Sequence, residues 1–195
     1  FKYISNKLPS EVTLEESLTH EYKSSFRKPY PDYPKPEINE QGQKFFKLGN
    51  KNFKSEKELQ KFIEEQSLKT IVAFLNTKGG TLVVGVKEKN NLKEIVGINR
   101  DHYENDDKYE RHICQQISNR IGNKFLSDYI NIRIEVIEGK SICLIECLPF
   151  IPKVNQVPAL LDDERCYRRT GPRTDEIKTG RDLATFVSER VQLKS

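Results

Sequence analysis

The spacing of apolar positions along the chain predicts helices that alternate with strands. Ser55 and Glu58 form a capping-box pattern, which predicts a helix that begins there and runs to about Leu75. Its apolar stripe consists of Leu59, Phe62, Ile63, Ile71 and Phe74. After a Lys-Gly-Gly turn at 78–80, the run TLVVGV at 81–86 is typical of a strand buried on both faces.

The next segment predicts a second helix between strands. Residues 94–98 (EIVGI) are expected to pair beside the buried strand. Asp107 with Glu110 predicts a helix start. The buried face of that helix is marked by Tyr109, Ile113, Ile117 and Ile121. Apolar and polar residues then alternate from Ile130 to Val136, which predicts a strand with one wet face.

The last third of the chain predicts a hairpin, two short strands and a helix. Glu138-Gly139 predicts a turn that leads into a partner strand at 141–148. Short strands are expected at 158–161 and 165–169, and Thr179 with Asp182 predicts the start of the last helix.

The N-terminal part differs in composition. Residues 19–26 resemble a short strand. Residues 27–54 hold four closely spaced prolines, which resist both helix and central strand. The aromatic residues of this segment are Tyr30, Tyr33, Phe45 and Phe46. We therefore interpret 27–54 as an insertion that packs on the domain through its aromatic side chains.

These elements predict an α/β (α+β) fold, a mixed β-sheet flanked by helices. The 195 residues suit one domain over 1–195. The absence of an initiator Met favours a fragment of a longer protein.

Composition narrows the class of protein. Charged residues make up 32% of the chain and hydrophobic residues 35%, so we expect a large, wet surface. The four cysteines show neither zinc-site nor C-x-x-C spacing, which favours reduced thiols. No apolar run approaches the roughly 20 residues of a membrane helix, and we expect a cytoplasmic protein with no membrane partner. The net charge of +4 is a weak argument for a polyanionic partner.

Three separated segments resemble one family. They are ESLTHEYK at 16–23, IVAFLNTKGGTLVVGV at 71–86 with VGI at 96–98, and CYRRTGPRT at 166–174. In this order they resemble the Schlafen/AlbA-like domain, over about residues 12–192 without the insertion. The resemblance implies an AlbA-like lobe that binds nucleic acid.

The middle segment has two interpretations. Asn76 and Thr77 can bond the exposed end of the helix, and Gly79-Gly80 allow positive φ and a sharp reversal. The corner is then structural. Alternatively, backbone N–H groups around Lys78 form a phosphate-binding nest. A P-loop is excluded, because its glycines precede a helix and these precede a strand.

The resemblance implies a catalytic role for acidic residues. In the Schlafen ribonucleases, glutamates spaced like Glu16 and Glu21 join a third acid in a metal-dependent group. The third acid would be Glu88. The neighbouring Lys87 would belong to the same site, but it stands where the family often has an aspartate. Three such carboxylates would take Mg²⁺ or Mn²⁺. The alternative is a surface glutamate beside a Glu21–Lys23 pair.

The basic segment 165–181 is the candidate nucleic-acid contact. Arginine forks bind two phosphate oxygens, and Tyr167 offers a stacking face for an unpaired base. The Gly171-Pro172 turn is expected to project Arg169 and Arg173 from one loop. The full set of candidate contacts is Lys23, Lys78, Arg165, Tyr167, Arg168, Arg169 and Arg173. The alternative is a solvated charged face.

Three functions are therefore open at this point. The first is a nucleic-acid-binding module of a regulator or defence protein, and the second is a Schlafen-type endoribonuclease that acts on structured RNA such as tRNA. The third is an assembly domain with a vestigial acidic site. The resemblance also implies a homodimer, or a second similar domain, that sets two copies of the arginine loop facing each other.

Overall fold

The computed structural model describes residues 16–29, 31–89, 92–153 and 156–192. The strands are β1 (His20–Lys23), β2 (Glu37–Ile38), β3 (Lys44–Leu48), β4 (Lys51–Phe53), β5 (Gly80–Val84), β6 (Val86–Lys89), β7 (Leu92–Ile95), β8 (Ile130–Ile137), β9 (Lys140–Cys147), β10 (Cys166–Thr170) and β11 (Arg173–Ile177). The helices are α1 (Glu56–Leu75), α2 (Asp106–Arg120), α3 (Asn123–Tyr129) and α4 (Gly180–Gln192), with a 3₁₀ helix at Ile98–Asp101.

A mixed four-stranded sheet forms the centre of the fold. Its strand order is β1-β5-β9-β8, with β1 parallel to β5 and the other neighbours antiparallel. Helices α1, α2 and α3 pack on one face of this sheet, over side chains such as Leu82 and Ile145. The other face carries a smaller apolar cluster that includes Tyr22 and Val83. The predicted α+β class is confirmed.

The two main helices follow the predicted pattern. The Oγ of Ser55 accepts a hydrogen bond from the N–H of Glu58 at 3.2 Å, and a Glu58 carboxylate oxygen accepts one from the N–H of Lys54 at 2.6 Å. In α2 the predicted apolar stripe is buried, and its N-cap is Asn105, whose side chain accepts from Lys108 N. The observed N-cap therefore lies two residues before Asp107, which the sequence predicted as the helix start.

The run at 81–86 is two strands rather than one. Gly85, at φ 96°, breaks it. The Gly85 N–H donates to Lys23 O, and its carbonyl accepts from Val96 and Gly97, so the chain turns out of the sheet there. Strand β7 consequently pairs with β6, and β5 has β1 and β9 as its neighbours. Without the glycine's positive φ the apolar run would continue straight, which is why composition alone predicted one strand.

The insertion folds as a small three-stranded sheet. Strands β2, β3 and β4 pair antiparallel in that order. Phe46 and Phe53 lie opposite each other and are buried with Leu59 of α1. The predicted aromatic packing is found at Phe46, whereas Tyr30 lies outside the described residues.

The C-terminal part is more regular than predicted. Residues 166–177 form a two-stranded hairpin, β10–β11, although only a strand at 165–169 was expected. At 158–161 the structure has a single bridge, between Leu161 and Arg165. The four cysteines are free thiols, and three of them are buried.

Candidate nucleic-acid interface

Arg169 lies in the interior and anchors the β10–β11 hairpin to β1. Its side chain has no exposed surface, and Nη1 lies 2.9 Å from a Glu21 carboxylate oxygen. Nη2 donates to Ser17 O at 2.6 Å, and the guanidinium lies 5.1 Å from the centre of the Phe74 ring. In this structure Arg169 therefore holds the hairpin in place and does not present its guanidinium to solvent.

Arg168 and Arg173 lie on the outer side of the same hairpin. Both are exposed, because neighbouring residues of a strand point to opposite faces and Arg169 takes the inner face. The strands join at Gly171-Pro172, with Gly171 at φ 61°. A two-residue loop with glycine at positive φ in its first position is a type II′ turn, which matches the twist of a hairpin. The backbone positions of Arg168 and Arg173 are thus set by a paired hairpin rather than by an irregular loop.

Arg165 and Tyr167 are engaged by α1. The two Nη atoms of Arg165 bind Glu65 at 2.7 Å and Asp162 at 2.6 Å. Although burial raises the pKa of Glu65, hydrogen bonds from Arg165 and Lys69 hold it below its usual value. Tyr167 is only 3% exposed, so its ring is not open for stacking on a base.

The glycine corner is structural in the described conformation. Phe74 O accepts from the N–H groups of Thr77 and Gly79, at 3.1 and 3.0 Å, and the Thr77 hydroxyl donates to Ala73 O. A Cβ on Gly79 would lie 2.5 Å from a backbone oxygen. A phosphate nest around Lys78 is therefore not supported, because the N–H groups of Thr77 and Gly79 already donate to Phe74 O at the end of α1. Lys78 itself is exposed.

The Glu16 carboxyl is affected by two other acidic residues, Glu21 and Glu88. Burial raises the pKa of the Glu16 carboxyl, and the charges of Glu21 and Glu88 raise it further, against the hydrogen bond that it accepts from Tyr22 N. Glu88 has a buried carboxylate oxygen with no hydrogen-bond partner. The charges of Glu21 and Glu88 therefore act on Glu16, and a single site formed by all three acids stays a prediction. Lys87 is half-buried beside them.

The acids as arranged do not fit a metal site. Both carboxylate oxygens of Glu21 are taken, one by Lys23 at 3.2 Å and the other by Arg169. Over the described residues, no group of three or more acidic, histidine or cysteine side chains is placed to hold an ion. In this conformation Arg169 occupies the position of a counter-ion to Glu21.

Two polar side chains, Asn76 and Arg190, support the hairpin and the end of α1 through contacts that the sequence did not predict. The buried amide of Asn76 bonds both backbone groups of Ala159 and also Tyr167 O, which ties α1 to β10. Arg190 of α4 donates to Thr77 O and Phe150 O and so caps the end of α1. A polar residue at a helix end, such as Asn76, is visible in the sequence. The hydrogen-bond partners of Asn76 and Arg190 are not, because they lie about 40 to 113 residues away along the chain.

The insertion adds a second group of exposed basic residues. The sequence predicted that this segment packs on the domain through its aromatic residues, and its lysines were not among the predicted contacts. These lysines are Lys44, Lys47, Lys51 and Lys54.

The fold and the hairpin define an α+β domain with a basic surface. The chain belongs to the Schlafen AlbA_2 family, whose model matches residues 46–178, more than half of the chain. The match does not include Glu16 or Glu21. Family membership supports a nucleic-acid-binding domain at the level of the family.

Two solved structures are similar to part of the chain. The DIP2311 protein from Corynebacterium diphtheriae is 19% identical over 60% of this chain, with a TM-score of 0.43. The N-terminal domain of a RecG-related protein from Nitrosomonas europaea is 21% identical over 59% of this chain and 76% of that domain, with a TM-score of 0.35. This chain covers 20% of DIP2311. Among curated proteins, none matches. None of the helices in the described residues is both long and apolar enough to cross a membrane.

Proposed function

We propose that this chain binds nucleic acid through the β10–β11 hairpin, with Arg168 and Arg173 as phosphate contacts. The observation that carries the proposal is the division of the arginines: Arg169 is fixed inside by Glu21, while the two others are held exposed on the same hairpin. A planar guanidinium can bind two phosphate oxygens at once. Family membership supports nucleic acid as the partner.

Rigid placement favours binding over a merely solvated face. Ordering a loop on association costs free energy, and a hairpin that is already formed does not bear that cost for its backbone. The hairpin is held to the body of the domain by Arg169 on its inner side and by Asn76 at Tyr167 O. Lys78, which is exposed, is a further candidate contact in this proposal.

The test compares two variants by fluorescence anisotropy with tRNA, single-stranded RNA and duplex DNA over a range of salt concentrations. Arg168→Ala with Arg173→Ala should weaken binding, and the magnitude of the salt slope should fall by about 0.7–0.9 for each lost phosphate contact. Arg111→Ala is the control, because Arg111 is also exposed but lies on α2, which packs beside β8 at the other edge of the sheet. An unchanged affinity and slope in the double variant would exclude the hairpin.

The same mixtures test the two other functions. Metal-dependent cleavage by Glu16, Glu21 and Glu88 stays a prediction, and parallel incubations with Mn²⁺ or EDTA test it on gels. Glu88→Gln is the better variant there, because Glu21→Gln would also remove the partner of Arg169. Absence of all nucleic-acid binding would favour the assembly domain, with the exposed arginines meeting an acidic protein.

A further inference from the structure

One edge of the central sheet is long and unprotected. β8 ends the strand order β1-β5-β9-β8, so in the described part of the chain its outer side has no strand neighbour. It has eight residues, whereas β1 at the opposite edge has four. β8 contains no Pro or Lys, two of the residues that protect exposed edges in natural proteins, and its charged residues are Arg133 and Glu135. Such an edge is a template for another strand.

The hydrogen bonds to β9 determine which backbone groups of β8 face outward. Tyr129 O, one residue before the strand, accepts from Leu148 N at 2.8 Å. Hydrogen-bonded pairs recur at every second residue of an antiparallel ladder, so the odd-numbered residues of β8 bond to β9. The even-numbered residues turn their N–H and C=O groups outward, and they are Ile130, Ile132, Ile134 and Val136.

We propose that β8 pairs antiparallel with β8 of a second copy of this chain, about a two-fold axis at Ile134. In this register Ile134 faces its own copy, Ile132 faces Val136, and Arg133 faces Glu135. The even-numbered residues then form the hydrogen-bonded pairs, as their outward backbone groups require. The Val136 side chain, 60% exposed in the single chain, lies opposite an isoleucine.

Charge selects this register over its neighbours. If the two-fold axis moved by one residue, to position 133 or 135, Arg133 would face Arg133 or Glu135 would face Glu135. Like charges directly opposite each other destabilise a strand pair. The Ile134-centred register instead sets Glu135 of the second copy opposite Arg133, which within one chain already pairs with Glu135 and Glu146. The charges of β8 are therefore complementary to those of an antiparallel second copy of β8. An isologous two-fold interface needs such self-complementarity, which favours a second copy of this chain as the partner at this edge.

The resulting sheet would have eight strands, with the two copies of β1 at its ends. The arginine hairpins, which are attached to β1 through Arg169, would lie far apart rather than facing each other. This arrangement differs from the facing arginine loops that the family resemblance implies. It does not depend on nucleic-acid binding.

The test uses the whole chain without nucleic acid and measures its mass by sedimentation equilibrium. Wild type should show a concentration-dependent species of twice the 22.7 kDa chain mass. Val136→Pro should remain monomeric with nearly unchanged melting temperature, because it removes an outward N–H and no bond to β9, and Pro is tolerated on edge strands with that side free. Val136→Thr keeps the N–H and is the matched control that should still dimerise.

A charge reversal tests the register. Glu135→Arg should raise the dimer dissociation constant about tenfold, because two favourable cross-strand pairs become repulsive. Three outcomes would overturn the proposal: wild type that is monomeric up to high micromolar concentration, dimerisation of Val136→Pro equal to that of wild type, or an unchanged dissociation constant in Glu135→Arg.

Discussion

At the scale of single residues, Arg169 contributes most to holding the hairpin. Removing it leaves Ser17 O and a Glu21 oxygen without their donor in a region where Arg169 is fully buried. Loss of one member of a buried ion pair costs about 3–5 kcal/mol. We therefore expect Arg169→Ala to lower the free energy of unfolding by about that amount, measured by urea denaturation.

The control for this prediction lies next to it in sequence. Arg168→Ala removes an exposed guanidinium on the same strand and should change stability by no more than about 0.5 kcal/mol. Equal stability of the two variants would mean that the Glu21 contact does not hold the hairpin. The sequence predicted that the Gly171-Pro172 turn projects both Arg169 and Arg173, whereas in the structure Arg169 is buried and Arg173 is exposed.

Glu16 should give the protein a dependence on pH. Its pKa is raised by burial and by the charges of Glu21 and Glu88, so the folded state holds the proton to higher pH than the unfolded chain does. Its contribution to stability is complete below the ordinary value of 4.5 and is lost as pH rises through the raised folded value. Glu16→Gln should consequently gain stability relative to wild type between pH 4 and pH 7.

Urea denaturation across this pH range checks the sign. Below pH 4 both side chains are uncharged, and the two proteins should differ by a constant amount. A difference that stayed flat up to pH 7, or that favoured wild type, would show that the pKa of Glu16 is not raised in the folded state.

At the scale of elements, the periodicity of apolar residues predicted the features that depend only on residues close in sequence. The stripe of α2 and the Glu138-Gly139 turn are local features, and both are found as expected. The break at Gly85 was not predictable from the apolar run, because it depends on bonds to Lys23 and Val96. Strand β11 was not predicted, because its sequence is mostly polar and charged and a strand on the surface needs few apolar residues.

At the scale of the whole molecule, the resemblance predicted the family and the α+β class, whereas the state of the site depended on distant partners. Glu21 and Arg169 are 148 residues apart, and a basic run gives no sign of which arginine will turn inward. The resemblance implied that the three acids form one site, which stays a prediction, although the charges of Glu21 and Glu88 do act on Glu16. What the sequence could not show is that an arginine already neutralises one of them.

A buried carboxylate that joins distant segments has a consequence for the exchange of backbone hydrogens with solvent. Asp101, 1% exposed, accepts from the Ser25 hydroxyl and from the N–H groups of Phe26, Arg27 and Lys28, at 2.6 to 3.1 Å. These amides lie in an irregular segment, yet releasing them requires opening the interior around Asp101. We expect them to exchange with deuterium as slowly as the amides of β5, by NMR or mass spectrometry. Exchange within seconds while β5 stayed protected would show that this segment opens independently of the core.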